Sequence, residues 1–366
     1  MFRRLARQVG FLLSALLLVV PGLAMALPSQ APRPPEPARI VAIGDLHGDC
    51  SAWRDIARGA GLVNASNRWI GGRTILVQTG DVTDRGPDSL KIIKDLRRLQ
   101  REAARAGGRV VTLVGNHEAM NVTGDLRYVH PGEYAAFADR DSAKRRDALY
   151  AANRAAIEAA ARARNPSLSK EAIRDAWLKE TPLGMIEHQL AWRPAGELGK
   201  WTIGNPAVAM IGDSLFVHGG ISAAYANIPL AEINRRVAAA LAAREIQPES
   251  IINDQYGPLW YRGLLTRAKG ADDAPAAPVA GAAVPPVPRP SIEAEIDMVL
   301  KAHNAKRIVI GHTPTRAAIS VLHGGKLVRI DTGISQYYGG TLSWLEIAGN
   351  QVTPRTVPRS GTRCSK

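Results

Sequence analysis

An apolar run rich in β-branched side chains, residues 74–77, precedes the segment Gly-Asp-Val-Thr-Asp-Arg-Gly at residues 80–86. A run of this composition predicts a buried strand. Asp81 and Asp84 then lie just past the carboxyl end of that strand, where open α/β sheets bind their ligands. The same arrangement of a strand followed by a polar loop recurs along the chain.

Four more predicted strands each end in a loop that carries carboxylate, amide or imidazole side chains. They are residues 39–43 with Asp45 and His47, 110–114 with Asn116 and His117, 215–217 with His218, and 307–310 with His312. Helices predicted at residues 51–60 and 88–106 separate the first three strands. This βαβ order is typical of a mostly parallel sheet in an α/β protein.

The chain has 366 residues, of which 46 % are apolar, so it can form one large domain or two ordinary ones. Because the polar loops extend from Asp45 to His312, we expect one α/β domain over residues 39–350. Its predicted architecture is two mixed β-sheets packed as a sandwich and flanked by helices. Strands predicted near residues 318–322, 327–330 and 341–347 are assigned to the second sheet.

Three further segments interrupt or follow this domain. Residues 130–200 are dense in Ala, Arg, Lys and Glu and predict a helical insertion that covers or flanks the polar loops. Residues 271–290 are rich in Ala and Pro and predict a flexible loop. Residues 351–366 are predicted to be a C-terminal tail.

The N-terminus has the pattern of a secretory signal peptide. Arg3, Arg4 and Arg7 precede the apolar run at residues 11–20, and Ala-Met-Ala at residues 24–26 follows it. We expect cleavage after about Ala26, a Pro-rich linker at residues 27–38, and a periplasmic or secreted protein without a membrane span. An uncleaved anchor is the alternative, although the apolar run is too short to cross a bilayer.

Charge and cysteine content limit the possible partners. Cleavage would remove three Arg and no acid, lowering the formal charge from +14 to +11. Such a field attracts anions, including phosphorylated molecules. The Lys and Arg are scattered without interleaved aromatic residues, so we expect a solvated surface and no dedicated nucleic-acid binding. Cys50 and Cys364 do not make a disulfide scaffold, but one bridge between them is possible in an oxidising compartment.

The residue types in the five loops point to metal binding. Carboxylate, imidazole and amide groups suit Mn, Fe or Zn and do not suit a soft metal bound by thiolates. A single His after a strand is usually structural, but five such loops in one chain favour a metal centre. The additional His-Gly-Gly at residues 323–325 lies between two predicted strands, and we interpret it as a hairpin turn.

The loops, in this order, resemble the motifs of the calcineurin-like metallophosphoesterases and, within them, the phosphoprotein phosphatase branch. That pattern reads GDxHG, GDxxDRG, GNHE, HGG and GHT, and the resemblance covers about residues 39–347. The runs at residues 116–121, 124–129 and 258–263 are similar to those of the Shewanella-like protein phosphatases. The resemblance implies the calcineurin-like metallophosphoesterase fold.

The resemblance also implies two divalent or trivalent metal ions, Mn, Fe or Zn, and their ligands. Asp45 and His47 would bind the first metal, Asp81 would bridge, and Asn116, His218 and His312 would bind the second. The implied reaction is hydrolysis of a phosphomonoester by a hydroxide that bridges the metals. The implied catalytic residues are His117 as general acid, Asp84 as its partner, and Arg85 and Arg262 as phosphate-binding groups.

The expected substrate is a phosphorylated protein or a small phosphomonoester, because two arginines and two metals match the free oxygens of a terminal phosphate. The motifs leave both phosphotyrosine and phosphoserine or phosphothreonine open, and they leave the oligomeric state open. One alternative is a hydrolase of nucleotides or dinucleoside polyphosphates. Another is a non-catalytic, metal-stabilised anion-binding protein of the envelope, which would be expected to lack a ligand, His117 or Arg85; all are present.

Overall fold

The strand-forming segments assemble into two five-stranded mixed sheets in the computed structural model, which describes residues 39–267, 289–362 and 364. The strands are β1 (Ile40–Ile43), β2 (Ile75–Gln78), β3 (Arg109–Thr112), β4 (Val208–Ile211), β5 (Ser214–Val217), β6 (Arg307–Ile310), β7 (Ser320–Leu322), β8 (Leu327–Arg329), β9 (Ser343–Ala348) and β10 (Gln351–Thr356). The predicted signal peptide, the Pro-rich linker and residues 271–288 of the predicted loop lie outside the described residues.

Helices connect and cover the strands. They are α1 (Cys50–Gly59), α2 (Ser89–Arg105), α3 (Asn116–Thr123), α4 (Pro131–Phe137), α5 (Ser142–Arg164), α6 (Lys170–Glu180), α7 (Met185–Trp192), α8 (Glu197–Ile203), α9 (Leu230–Ala243) and α10 (Ile292–Ala302). Among the described residues, no helix combines the length and the apolarity needed to cross a bilayer.

The first sheet has the order β10-β9-β1-β2-β3, with β1, β2 and β3 parallel and β9 and β10 antiparallel. The second has the order β4-β5-β6-β8-β7, with β5, β6 and β8 parallel. The short β-branched runs are buried on both faces, as expected for parallel strands covered by other layers.

Alternation along the strands builds the sandwich. In β1, Ile40 and Ala42 pack against Phe216 and Val309 of the second sheet, while Val41 and Ile43 belong to the cluster that includes the helices on the outer face. Side chains that alternate across a strand therefore bind one sheet to the other and to its helices. The predicted class, two mixed sheets in a sandwich flanked by helices, is confirmed.

Two assignments from the sequence are corrected. The strand predicted at residues 341–347 was assigned to the second sheet, but β9 lies beside β1 in the first, with Ile40 opposite Ile347. The sequence pattern shows that this segment is a strand, whereas its position depends on which sheet edge remains unpaired. In addition, the first six residues of the predicted tail form β10, which continues the first sheet by a hairpin from β9.

The Ala- and Arg-rich segment at residues 130–200 is helical and contains α4, α5, α6, α7 and α8. Most of α5 is exposed, whereas α7 buries His188 and Trp192. The second His-Gly-Gly, residues His323–Gly325, forms a short 3-10 turn between β7 and β8, as the hairpin interpretation predicted.

The C-terminal segment is fastened to α1. Cys364 forms a disulfide with Cys50 across a sequence separation of 314 residues. Asp49, the N-cap of α1, accepts hydrogen bonds from Ala52 and from the Arg359 side chain. This carboxylate therefore caps a helix and anchors the chain end.

We expect Cys364→Ser to lower the free energy of unfolding of the oxidised protein by about 2–4 kcal/mol, because the crosslink restricts the unfolded chain. Urea unfolding of both proteins measures the difference. Reduced wild-type protein serves as the control and should unfold like the variant. Equal midpoints for the variant and the oxidised wild type would contradict the prediction.

Candidate active site

The five polar loops meet at the carboxyl ends of parallel strands from both sheets. The predicted metal ligands are all buried there, and no more than 4 % of any of these residues is exposed: Asp45, His47, Asp81, Asn116, His218 and His312. Asp81 from the first sheet lies 3.3 Å from His218 of the second, measured between Oδ1 and Nε2. The loops therefore form one site.

The loop after β2 has a backbone that few side chains adopt. Asp81, Asp84 and Arg85 have φ angles of 54°, 71° and 65°, a conformation that costs roughly 1–2 kcal/mol for a residue with a Cβ. The Glu118 carboxylate stabilises the first part of this loop. It accepts the backbone N–H groups of Gly115, Asp81, Val82 and Thr83.

His47 and Asp81 form a first group of ligand atoms, with Asp45 beside them. His47 Nδ1 donates to the Thr83 carbonyl at 3.0 Å, so its Nε2 faces Asp81 Oδ2 at 3.7 Å and Asp45 Oδ2 at 4.0 Å. Burial, reinforced by the charge of His117, lowers the pKa of His47 to about 3. His47 is therefore a neutral imidazole, the form that binds metal.

The second group contains Asn116, His218 and His312. His218 Nδ1 donates to the Thr79 carbonyl at 2.9 Å, and its Nε2 faces Asn116 Oδ1 at 2.9 Å. The ring of His312 lies 4.9 Å from that of His218, between centroids. His312 Nε2 lies 3.2 Å from the Trp260 carbonyl, which leaves Nδ1 available to a metal.

This donor set fits a pair of cations. In His47 and His218, one nitrogen donates to a carbonyl, so the lone pair of the other faces carboxylate or amide oxygens. The imidazole lone pair and the oxygen that it faces are both hydrogen-bond acceptors, so no hydrogen bond can form between them. A cation bound between the two would satisfy both. Asp81 belongs to both groups, with Oδ1 near His218 and Oδ2 near His47. Potential ligand atoms of Asp81, His218 and His312 lie within 4.8 Å of one another.

The negative charge of the site also favours cations. Burial, and then the charges of Asp331 and Asp81, raise the pKa of Asp45. Burial, and then Asp81, raise the pKa of Glu118 to about 7. Burial likewise raises the pKa of Asp331 to about 6. Bound cations would offset the repulsion among these four carboxylates.

His117 is held by other partners. Its Nδ1 lies 2.6 Å from Asp84 Oδ2, and the other oxygen of Asp84 accepts from Asn121 at 2.9 Å. Burial lowers the pKa of His117, but the charge of Asp81 and the hydrogen bond to Asp84 outweigh burial and raise it.

The same side chain also lies among possible ligands, because potential ligand atoms of His47, Asp81 and His117 lie within 4.8 Å of one another. An imidazolium has protons on both nitrogens, so it donates protons and does not bind metal. The raised pKa and the bond to Asp84 set His117 apart from His47 and His312, whose pKa values are lowered by burial.

The two predicted phosphate-binding arginines border the site. The Arg85 guanidinium lies over the rings of Tyr128, Tyr337 and Tyr338, with centroid distances of 4.6, 4.9 and 5.2 Å. Arg262 is exposed and donates from Nη2 to the His312 carbonyl at 3.1 Å. Cation–π contacts restrict Arg85 to one plane, whereas the Arg262 guanidinium makes one hydrogen bond within the described part of the chain.

Two clefts open next to these groups. One of about 690 Å³ is lined by His47, Arg85 and Tyr337 together with Lys91 and Cys364. The other, of about 380 Å³, is lined by Tyr128 and Trp260 among other residues. A substrate larger than phosphate therefore has room beside the ligand groups.

Sequence reasoning assigned no role to Glu118, Asn121 or Glu133. For Glu118 a local signal exists, because it follows Gly115 by three residues, the spacing of a capping box. Asn121 follows His117 by four residues and so shares its helix face. Glu133 lies in the helical insertion and accepts the Asp84 N–H at 2.9 Å. Nothing in its local sequence predicts that contact.

Residues 38–316 match the calcineurin-like phosphoesterase family. The chain belongs to this family. It is therefore a phosphoesterase, and the family implies divalent metal ions, for which the two ligand groups are present.

Two protein phosphatases are similar to this phosphoesterase in sequence, and a third is similar in structure. The chain is 34 % identical over 316 residues to Shewanella-like protein phosphatase 2 of Arabidopsis thaliana, covering 82 % of this chain and 72 % of the relative. It is 27 % identical to Shewanella-like protein phosphatase 1 of Plasmodium berghei, covering 82 % and 68 %. A crystal structure of a cold-active protein-tyrosine phosphatase from a Shewanella species has the same fold, with a TM-score of 0.59, 23 % identity and 88 % and 80 % coverage. These findings confirm the resemblance drawn from the motifs.

We expect Asp81→Asn to bind fewer metal ions, because it removes one charge and one ligand oxygen shared by both groups. Activity should fall on the order of 10²-fold or more, since metals supply several kcal/mol of charge stabilisation. Elemental analysis after reconstitution measures the first effect. Asp213→Asn is the control, since Asp213 pairs with Arg307 away from the site. Full metal content in Asp81→Asn would contradict the shared role.

Proposed function

We propose that this phosphoesterase is a phosphoprotein phosphatase that hydrolyses phosphomonoesters, with His117 as general acid. The observation that carries the proposal is the buried His117–Asp84 pair, 2.6 Å apart, next to a cluster of metal-ligand groups. A phosphate ester releases an oxygen that needs a proton, and a buried imidazolium oriented by a carboxylate can donate one. The names of the relatives in Arabidopsis and Plasmodium support protein substrates.

Asp45, His47 and Asp81 would hold one cation, and Asp81, Asn116, His218 and His312 the other. Mn, Fe and Zn suit these ligands. When bound, the two metals supply Lewis acidity toward phosphoryl oxygens and lower the pKa of water toward neutrality.

The chain itself supplies orientation and protons. Arg85, held flat by tyrosine rings, would bind two phosphoryl oxygens with its planar guanidinium. Arg262 would exchange its contact with the His312 carbonyl for the phosphate. His117 would donate its Nε2 proton to the leaving oxygen. Asp84 would accept a hydrogen bond from Nδ1–H throughout and stabilise the ring while it is charged.

Among the protein substrates left open by the motifs, we favour phosphotyrosine. Tyr128 and Tyr337 stand at the mouth next to Arg85, and 37 % and 62 % of their surfaces are exposed. Exposed aromatic rings offset-stack on another aromatic ring and add about 0.5–1.5 kcal/mol. A phenyl leaving group would gain these contacts, and a serine side chain would not.

We further propose a periplasmic or secreted location. The N-terminal signal pattern supports it, and so does the disulfide between Cys50 and Cys364, since such bonds persist in oxidising compartments. N-terminal sequencing of protein from the periplasmic fraction tests the proposal. A mature chain that retains Met1 in the cytoplasm would contradict it.

The test of function is an activity panel on purified, metal-reconstituted protein. It compares phosphotyrosine, phosphoserine and phosphothreonine peptides with nucleotides and dinucleoside polyphosphates, and replaces Mn with Fe or Zn. We expect the highest kcat/KM on phosphotyrosine peptides. Preferred hydrolysis of a dinucleoside polyphosphate would establish the nucleotide alternative, and phosphate binding without turnover would establish a binding protein.

We expect His117→Ala to reduce turnover of a phosphotyrosine peptide by on the order of 10²–10⁴-fold, the usual contribution of a general acid. The loss should be smaller for p-nitrophenyl phosphate, whose leaving group needs less protonation. Metal content should stay unchanged, which elemental analysis verifies. Near-normal hydrolysis of the phosphotyrosine peptide would show that His117 is not the acid.

A further inference from the structure

The helical insertion places a buried carboxyl group, that of Glu133, against the loop after β2, residues 80–86. Glu133 of α4 is 2 % exposed, and its Oε1 accepts the backbone N–H of Asp84 at 2.9 Å. The Ser89 hydroxyl donates to the same oxygen, and the Thr83 hydroxyl lies 3.4 Å from Oε2. Every one of these hydrogen bonds connects Glu133 to the loop after β2 or to the start of α2.

Two acidic side chains, Glu118 and Glu133, accept the backbone N–H groups of successive parts of the strained loop. Glu118 accepts the N–H groups of Asp81, Val82 and Thr83, and Glu133 accepts that of Asp84. The next N–H, from Arg85, donates to the Tyr128 carbonyl at 2.9 Å. The half of the loop that bears Asp84 and Arg85 is thus held by Glu133 of the insertion and by Tyr128, two residues before the insertion begins.

Helix α4 packs tightly against the end of this loop. A Cβ added to Gly132 would lie 2.5 Å from the Pro87 side chain, so residue 132 has no room for one. From the other side, α7 places His188 against α4, with the ring of His188 5.2 Å from that of Tyr134. The position of Glu133 therefore depends on packing of the insertion.

Glu133 has no Lys or Arg partner among the described contacts. The basic side chain beside it is His188, whose Nε2 lies 3.7 Å from Oε2, and burial lowers the pKa of His188 to about 4, so this ring is neutral. Burial, and then the charge of Asp84, raise the pKa of Glu133 to about 8. A buried ionisable group without a counter-ion is costly, and a pKa shifted in this way is typical of functional sites.

From this geometry we propose that Glu133 is a positioning residue, by which the insertion keeps the Asp84 carboxylate against His117 for proton donation. Asp84 has a positive φ of 71°, so its backbone relaxes when its N–H loses the acceptor. Relaxation would lengthen the 2.6 Å contact to His117 and release the imidazole from its orientation. The inference rests on the proposed function, in which His117 is the acid.

The experiment compares Glu133→Ala, Glu133→Gln and wild type on two substrates, phosphotyrosine and p-nitrophenyl phosphate. We expect Glu133→Ala to lower kcat on phosphotyrosine about 10–100-fold, as loss of a supporting group does, and on p-nitrophenyl phosphate several-fold less. KM and metal content should stay close to wild type. Glu133→Gln should restore most of the rate, since its amide oxygen can accept the same N–H.

A matched control is Glu187→Ala on α7. Glu187 pairs with Arg145 inside the insertion and makes no contact with the loop. This variant should unfold at a lower temperature but retain the wild-type ratio of the two rates. If Glu133→Ala does not fold, Glu133→Asp replaces it, because the shorter side chain moves the acceptor away from Asp84.

A second readout is the proton NMR signal of the hydrogen bond between His117 and Asp84, which a short contact shifts to low field. Glu133→Ala should move or broaden this signal, and Glu187→Ala should not. Equal loss of kcat on both substrates, or a Gln variant as impaired as the Ala variant, would overturn the positioning role. Wild-type protein without phosphomonoesterase activity would instead overturn the proposed function.

Discussion

The arrangement of the site depends on one buried carboxylate, that of Asp81. Its Oδ1 faces His218 of the second sheet and its Oδ2 faces His47 of the first. Its Oδ1 also accepts the backbone N–H of His117 at 3.0 Å, at the first turn of α3. Both ligand groups and the start of α3, which bears His117, therefore contact a single side chain.

The backbone of this site is strained, and hydrogen bonds within the site offset part of that free energy. Five polar residues of the site, His47, Asp81, Asp84, Arg85 and His312, have positive φ angles. Each such angle costs on the order of 1–3 kcal/mol. The backbone N–H groups exposed by these turns are used as donors to Glu118, Glu133 and Asp45. Hydrogen bonds from rigid backbone thus compensate for strain and keep side chains in place before any substrate binds.

The helical insertion, residues 130–200, also contributes to these hydrogen bonds. Its outer helix α5 is largely exposed, whereas α7 packs against α4 and α4 packs against the loop after β2. An Ala- and Arg-rich segment of this kind could serve only to cover a site. Here Glu133 of the insertion also accepts the backbone N–H of Asp84, so the insertion contacts the loop after β2 directly.

The sequence by itself determined most of the strands, the loops that follow them, and the identity of the six ligand candidates and His117, but it missed β10. These features are local: a short β-branched run forms a strand, and a polar residue after it lies at the strand end, wherever the strand is placed. Only the tertiary structure decided that β9 lies beside β1, that Cys50 pairs with Cys364, that three tyrosines surround Arg85, and that Glu133 binds Asp84. Each of these is a contact between distant segments, and it depends on which surfaces pack together after the chain closes its long loops.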